Sequence, residues 1–470
     1  MMKRLFTTLL FLSAFGLRAT DIEVSDVKFD KSKAIVTFDL QWKNSWKNSR
    51  NHDAAWVFVK FESPGQGYVH GQLSGTSHNM RVVRYSVKGR VKSSPELTGA
   101  FVEPISNYRG NVHWQIDLKL DKQVVNQLPA GAVAKVYAIE MVYIPQGGFT
   151  LGDPDPVAAN YSAVFSANDQ GQPAGLYKVA SEDQVIEVGP KSGSLYYFPG
   201  RYPQYTGDRQ GPIPASFPKG VDPYYMMKYE VTQGQYVHFL NSIKPDLASR
   251  LSPHTTEKYY ESRGSIRFEN GKYKADSPNR PCNYITWDDG ALFADWAGLR
   301  PMTELEYVKA ARGPATPIAH EFPWNTADKE GLGRFVDLDD ELKLKEGMDE
   351  ENLTEANRHQ YGASYYWVMD LAGSLWEKCV SIGHPLGRAF KGTHGDGVLS
   401  ADGIVNADWP RGINEEGGYG YRGGGYYQHD KKPGEYNPHS PIAYRPYAAW
   451  SGGKRSIAYS QRYVRTAPER

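Results

Sequence analysis

The stretch Trp296-Ala297-Gly298-Leu299-Arg300-Pro301-Met302-Thr303-Glu304-Leu305-Glu306-Tyr307 decides how the second half of the chain reads. Gly298 stands where a helix can end, because glycine accepts the left-handed backbone that closes helices. Thr303-Glu304-Leu305-Glu306 has the spacing of a capping box, in which a threonine hydroxyl and a glutamate each satisfy the other residue's backbone N–H. Two helices are therefore expected to meet across this stretch. The first covers 287–298, with Asp288 near its start and Ala291, Leu292, Ala294, Asp295 and Trp296 within it. The second begins at Thr303, reaches about 311 and is stopped by Gly313.

Upstream, a further helix is expected over 232–242, with Thr232 as its cap and Tyr236, Phe239 and Leu240 on one face. Before it, Glu140-Met141-Val142-Tyr143-Ile144-Pro145-Gln146-Gly147-Gly148-Phe149-Thr150-Leu151-Gly152 reads as a short strand, a Gly-Gly turn and a second short strand. Residues 153–217, rich in Gly, Pro, Ser and Tyr, read as a loop-rich insertion with short strands. Residues 21–139 alternate as strands do, through Ile22, Val24, Val27 and Phe29 and through Ala34-Ile35-Val36-Thr37-Phe38-Asp39-Leu40. Ala55-Trp56-Val57-Phe58-Val59-Lys60-Phe61 places β-branched and aromatic residues on both faces, and 80–87, 113–120 and 134–139 are further strands. With no helix-period segment of useful length among them, an all-β, sandwich-like domain is expected over 21–139.

Composition removes several classes of function. The 470-residue chain has a formal net charge of +1, without the basic excess of a nucleic-acid binder. Aromatics at 13%, with 32 Tyr and 11 Trp, exclude a disordered chain, and 47 Gly with 30 Pro suit a loop-rich fold rather than a helical bundle. Met1-Met2-Lys3-Arg4, the apolar run Leu5 to Leu17, and the small residues near Ala19 and Thr20 read as a secretory signal over 1–20. The apolar run, about 13 residues, is short of the ~20 that cross a bilayer. No cysteine ends it, as lipid attachment would require, and no later stretch is apolar enough to span. Export to the periplasm, the outer surface or the medium is the expectation. Cys282 and Cys379 are the two cysteines, too few for a disulfide framework. They read as small buried hydrophobes, with a single disulfide or a metal role as alternatives.

The order of motifs resembles the sulfatase-modifying-factor, or formylglycine-generating-enzyme-like, family. Gly147 to Gly152 resembles its opening turn, and Glu230-Val231-Thr232 through Tyr236 and Phe239 its first helix start. Pro281 to Trp287 with Asp289 and Gly290, the stretch from Trp296 to Tyr307, Ala310-Ala311-Arg312-Gly313 and Phe322-Pro323-Trp324 resemble the landmarks that follow. Leu371-Ala372-Gly373-Ser374-Leu375-Trp376-Glu377 and Arg422-Gly423-Gly424-Gly425 resemble the last two. The resemblance covers residues 140–467. It implies an α+β fold, the irregular C-type-lectin-like fold of formylglycine-generating enzymes, preceded here by the β-domain.

What it implies for chemistry is mixed. The family's copper enzymes hold Cu(I) through two cysteines after the Arg-Gly-Gly motif, soft ligands for a soft ion. No cysteine lies between Arg422 and Arg470, and Cys282 and Cys379 sit elsewhere, so neither copper nor oxidation of a substrate cysteine is expected, and no catalytic residue is assigned. The iron branch uses a His-x-x-x-His-x-Glu helix, and that histidine spacing occurs nowhere among the 12 His. His429 and His439, among Tyr426, Tyr427, Asp430 and Tyr436, read as solvated or structural, with a place in the family's cleft and a metal role as the alternative. The family's structural Ca²⁺ site maps onto Asp370, Gly373, Leu375 and Glu377, two carboxylates with backbone carbonyls between them, the hard-oxygen set of calcium. The alternative is that Glu377 pairs with an arginine and no ion binds. Ser374 and Lys378 replace the family's Asn and second Trp, and the acidic run from Asp337 to Glu341 reads as a solvated loop.

Two functions follow as expectations. One is a non-catalytic binding or assembly protein of the cell envelope, its partner an envelope or extracellular protein or glycan. Tyr196-Tyr197-Phe198 and Tyr224-Tyr225 would serve it as surface anchors, unless they pack in the core. The other is an enzyme of different chemistry acting on a peptide in the family's cleft.

Overall fold

The structure, a computed structural model, describes residues 22–63, 67–75, 78–254, 257–336, 342–400, 403, 405–412, 417–425, 440–452 and 455–468. The signal segment, the run 337–341 and the loop holding His429 and His439 lie outside the described residues.

Nine strands open the chain: β1 (Glu23–Asp30), β2 (Ile35–Lys47), β3 (Asp53–Ser63), β4 (Gly67–His70), β5 (Asn79–Arg84), β6 (Gly89–Ser93), β7 (Ala100–Pro104), β8 (Tyr108–Lys119) and β9 (Val133–Ile144). One sheet has the order β1-β2-β8-β5. Val36, Phe38 and Leu40 of β2 and Trp114, Ile116 and Leu118 of β8 point from it into a buried core, as their alternation requires. Ala55, Val57, Val59 and Phe61 of β3 and Val102 of β7 close that core from the second sheet. The alternation in β1 is interrupted by a bulge, where Asp26 takes φ +51° and the register with β2 shifts between Ser25 and Lys28. β5 ends at Arg84, earlier than expected, because Tyr85 turns at φ +62°. A short helix, Lys122–Asn126, capped by Asp121, also lies where none was expected.

The second sheet is the structural surprise. Its order is Arg300–Pro301, Tyr463–Thr466, Tyr224–Met227, β9, β3, β7, β6, with β4 added on β3. The division expected at residue 140 therefore falls inside β9, which pairs with β3 from Val133 to Val142 and with Tyr224–Met227 from Met141 to Ile144. Sheet hydrogen bonding passes without a break from the N-terminal strands to those of the second half. β3 is buried on both faces. Trp56 and Phe58 point away from the sandwich core into the larger core of the second half, with Phe101 beside them. Trp56 donates its Nε1–H to Ala297 O at 2.8 Å, at the end of a helix in that half.

The three expected helices are present. Gln233–Ser242, Trp287–Trp296 and Glu304–Arg312 start on Thr232, Thr286 and Thr303, each in a reciprocal capping box. Gly298 and Gly313 take φ +68° and +65° beyond the second and third. The insertion holds a small five-stranded sheet of its own, formed by Phe165–Ala167, Pro173–Gly175, Ile186–Val188, Leu195–Tyr196 and Gly211–Ile213. Tyr197, Tyr224 and Tyr225 are buried, and Tyr196 and Phe198 pack on Phe165, so both aromatic runs belong to the interior. Among the described residues no helix is long and apolar enough to cross a membrane.

Candidate functional site

Three strands bring the late motifs together. Trp376–Val380 lies between Tyr419–Arg422, antiparallel to it, and Tyr459–Gln461, parallel to it, and the register sets Glu377 opposite Arg422. Gly423 and Gly424 turn at φ +88° and +70°, and their carbonyls accept the N–H of Gly373 at 3.1 and 3.2 Å. The Trp-Glu and Arg-Gly-Gly motifs thus form one unit.

Glu304 lies beneath this unit, in the first turn of its helix, where the aligned peptide dipoles favour a negative charge. Its Oε2 accepts from Arg445 Nε at 2.5 Å and Arg422 Nη1 at 3.5 Å, and its Oε1 accepts from Arg445 Nη2 and the Ile382 N–H, both at 2.9 Å. Burial pushes the Glu304 carboxyl up, but Arg445 and Arg422 outweigh it and hold it below its usual range. Arg422 continues to Ile442 O at 2.6 Å and Arg445 to Ser162 O at 3.0 Å. The cavity left among Glu304, Arg422 and Arg445 measures about 10 Å³, near the lower limit for a single water molecule. Among the described residues, the Arg422 and Arg445 guanidiniums share the Glu304 carboxylate, while Arg422 Nε is buried without a hydrogen-bond partner.

The expected calcium positions meet a different arrangement. Arg462 grips Glu377 with two parallel hydrogen bonds, Nε to Oε2 at 2.8 Å and Nη2 to Oε1 at 2.9 Å, and both residues are fully buried. Asp370, at φ +59°, is ion-paired with Arg334. Ser374 Oγ and the Leu375 N–H both donate to Glu230, at 2.6 and 2.9 Å. Burial pushes both the Glu230 and Glu377 carboxyls up, and the Arg462 guanidinium opposes that push, most directly at Glu377, which it grips. No group of three or more His, Cys, Asp or Glu among the described residues is placed to hold a metal ion. Asp370, Gly373, Leu375 and Glu377 are thus gathered in one loop and strand, but they do not fit the calcium that the resemblance implies, because both oxygens of Glu377 already face a guanidinium. Lys378, in place of the family's tryptophan, donates to Ile285 O at 2.6 Å, and burial pushes its amine down to about 7.

Cys282 and Cys379 are free and buried, and burial pushes both thiols up. Each sulfur points at a carbonyl, Asn283 O at 3.8 Å and Gly420 O at 3.9 Å, so the reading as small apolar side chains is the one that fits.

A second site, which the sequence reading missed, opens where the N-terminal strands adjoin the second half. A cleft of about 1040 Å³ is lined by Lys47, Arg50, Arg90, Lys92, His52, Tyr143 and residues near the C-terminus. Glu103 forms part of its lining while being fully buried. It accepts from Tyr225 Oη at 2.6 Å and Arg90 Nε at 2.6 Å and lies 2.8 Å from His52 Nε2, whose ring stacks on Tyr143. Burial raises the Glu103 carboxyl, but hydrogen bonding and charge from His52, the Tyr225 hydroxyl and Arg90 together hold it at about 2. The four cations come from β2, the loop after it and β6, elements distant in sequence that lie in different sheets, and the packing of those sheets gathers them.

Fold and motif order define an α+β protein whose second half carries the landmarks of the sulfatase-modifying-factor family. Residues 190–458 match the sulfatase-modifying factor enzyme 1-like domain, and the chain belongs to that family. It is similar to the formylglycine-generating enzyme of Thermomonospora curvata, 28% identical over 110 residues, 23% of this chain and 36% of that protein. The formylglycine-generating enzyme of Streptomyces coelicolor is 27% identical over 135 residues, 26% of this chain and 40% of that protein. The hercynine oxygenase of Mycobacterium tuberculosis is 26% identical over 124 residues, 26% of this chain and 27% of that protein. The chain thus spans between about a quarter and two fifths of the length of these relatives.

Proposed function

We propose that this is an exported, non-catalytic binding or assembly protein of the cell envelope, built on the C-type-lectin-like fold of its family. The basic cleft beside β3 and β9 carries the proposal. It is large enough for a segment of a polymer and is lined by Lys47, Arg50, Arg90 and Lys92 against the two carboxylates Glu103 and Asp222, a positive excess that favours an anionic chain of an envelope or extracellular protein or glycan. The absence of cysteine from Arg422 to Arg470 supports the non-catalytic reading, because the copper chemistry of the family needs two thiolates there. The apolar run after Lys3-Arg4 supports export.

The test is binding of the purified chain to immobilised polygalacturonate, poly-glutamate and neutral dextran, at low and high salt. Binding to one or both acidic polymers is expected, weakened by salt and by Lys47→Glu combined with Lys92→Glu. Equal binding to dextran, or binding unchanged by the double variant, refutes it. The two acidic polymers distinguish a glycan from a protein partner.

A second reading is an enzyme of other chemistry acting on a peptide beside Arg422–Gly425. The names of the relatives, formylglycine-generating enzyme and hercynine oxygenase, favour it. Mass analysis of cysteine-containing peptides incubated with the protein under air decides: conversion of the peptide supports this reading and sinks the first.

A further inference from the structure

Of the residues that the family's resemblance assigns to calcium, Glu377 meets the Arg462 guanidinium with both carboxylate oxygens. Arg462 has five N–H donors, and the structure gives each of them an acceptor. Nε and one Nη2 hydrogen go to Glu377, as described. The other Nη2 hydrogen goes to Met369 O at 2.8 Å, and Nη1 goes to Met227 O at 2.9 Å and Lys228 O at 2.8 Å. Those acceptors are one carboxylate and three backbone carbonyls, converging on a centre with no solvent access at Arg462 or Glu377. A cluster of that kind is what a hard cation collects. Here a side chain fills it.

We infer that Arg462 is a covalently held substitute for a structural divalent cation, so that this loop, and the Arg-Gly-Gly turn hydrogen-bonded to it through Gly373, holds its shape without calcium. The guanidinium ties four segments at once: the end of the strand Tyr224–Met227, the residue before Asp370, the strand Trp376–Val380 and its own. Asp370, the other carboxylate of the implied set, is neutralised by a second arginine, Arg334. An ion entering this centre would have to displace a buried guanidinium from both oxygens of Glu377. Geometry also fixes the identity of the substitute. A lysine has a single donor point and cannot grip a carboxylate with two parallel bonds while reaching three carbonyls.

The experiment compares thermal unfolding and calorimetric calcium titration of the full chain with those of Arg462→Gly and Arg462→Lys. The wild-type midpoint is expected to stay within ~1 °C between excess EGTA and millimolar calcium, with no heat of binding, because a ligand that does not bind the native state cannot shift its stability. Arg462→Gly empties the centre while leaving Glu377 and the three carbonyls. It is expected to melt lower in EGTA and to regain ~5 °C or more with calcium in large excess over its dissociation constant, and folding only in calcium would count the same way. Arg462→Lys keeps a cation and is expected to ignore calcium. Calcium stabilising the wild-type chain overturns the inference. So does an Arg462→Gly protein that folds and ignores calcium, or one that folds in neither condition while Arg462→Lys is stabilised by the ion.

Discussion

Trp56 offers the most direct probe of how the two halves depend on each other. It lies on β3 with no exposed surface, its ring 4.9 Å from that of Phe101 and 4.5 Å below the Arg465 guanidinium. Trp56→Ala removes that packing, at about 3–5 kcal/mol for a buried aromatic truncated to alanine. It also takes away the partner of Ala297 O, which adds about 1 kcal/mol. At about 2–4 °C per kcal/mol for a chain of a few hundred residues, the midpoint should fall by roughly 8–24 °C. The assay is differential scanning calorimetry with near-ultraviolet circular dichroism on the same samples. One transition is expected in both proteins, shifted as a whole, because β3 and β9 belong to both cores. A variant scan that splits into two transitions, the upper one at the wild-type midpoint, would refute the reasoning. It would mean that the continuous sheet does not couple the halves.

Glu103 gives a pH prediction: its folded carboxyl, at about 2, lies below its unfolded value of 4.5, so its contribution is complete above about 4.5 and is lost as pH falls towards 2. The gap corresponds to about 3 kcal/mol at neutral pH, and Glu103→Gln, followed by urea unfolding at neutral and acid pH, should lose that much at neutrality and be the less acid-sensitive protein. Glu304→Gln leaves Arg422 and Arg445 without their shared counter-charge and should cost about 3–5 kcal/mol in the same assay; a loss under 1 kcal/mol would contradict the hub described around it. Cys282 and Cys379 should be inert to a thiol reagent in the native protein, both react in strong denaturant, and leave the intact mass unchanged by reductant.

Local signals carried much of this architecture. Thr232 and Thr303 announced their helices because a cap is satisfied within four residues, and Gly298 and Gly313 ended theirs because a left-handed turn is a property of one residue. Thr286, which caps the helix at Trp287, was passed over in favour of Asp288, one of two acidic residues inside the first turn. The both-faced apolar pattern of 55–61 was legible as a strand, but not its reason, which is that β3 separates two cores. What was out of reach involves long separation. Arg462 finds Glu377 across 85 residues and Arg445 finds Glu304 across 141, and no spacing rule relates them. Arg462, which engages Glu377 of the expected calcium set, was out of reach for that reason, because it comes from a different strand. The cleft cations were missed likewise, since Lys47 and Lys92 lie in different sheets and line one cleft only once those sheets pack together.

The continuity of β9 has a mechanical side. In a chain of two beads under tension, the linker stretches first and the beads are spared. Here the connection is itself a strand, hydrogen-bonded on one side to β3 along its N-terminal part and on the other to Tyr224–Met227 along its C-terminal part. No slack segment joins the two parts of this sheet, so a pull transmitted along β9 is borne by ladder hydrogen bonds acting together, and the molecule resists extension there until a ladder ruptures.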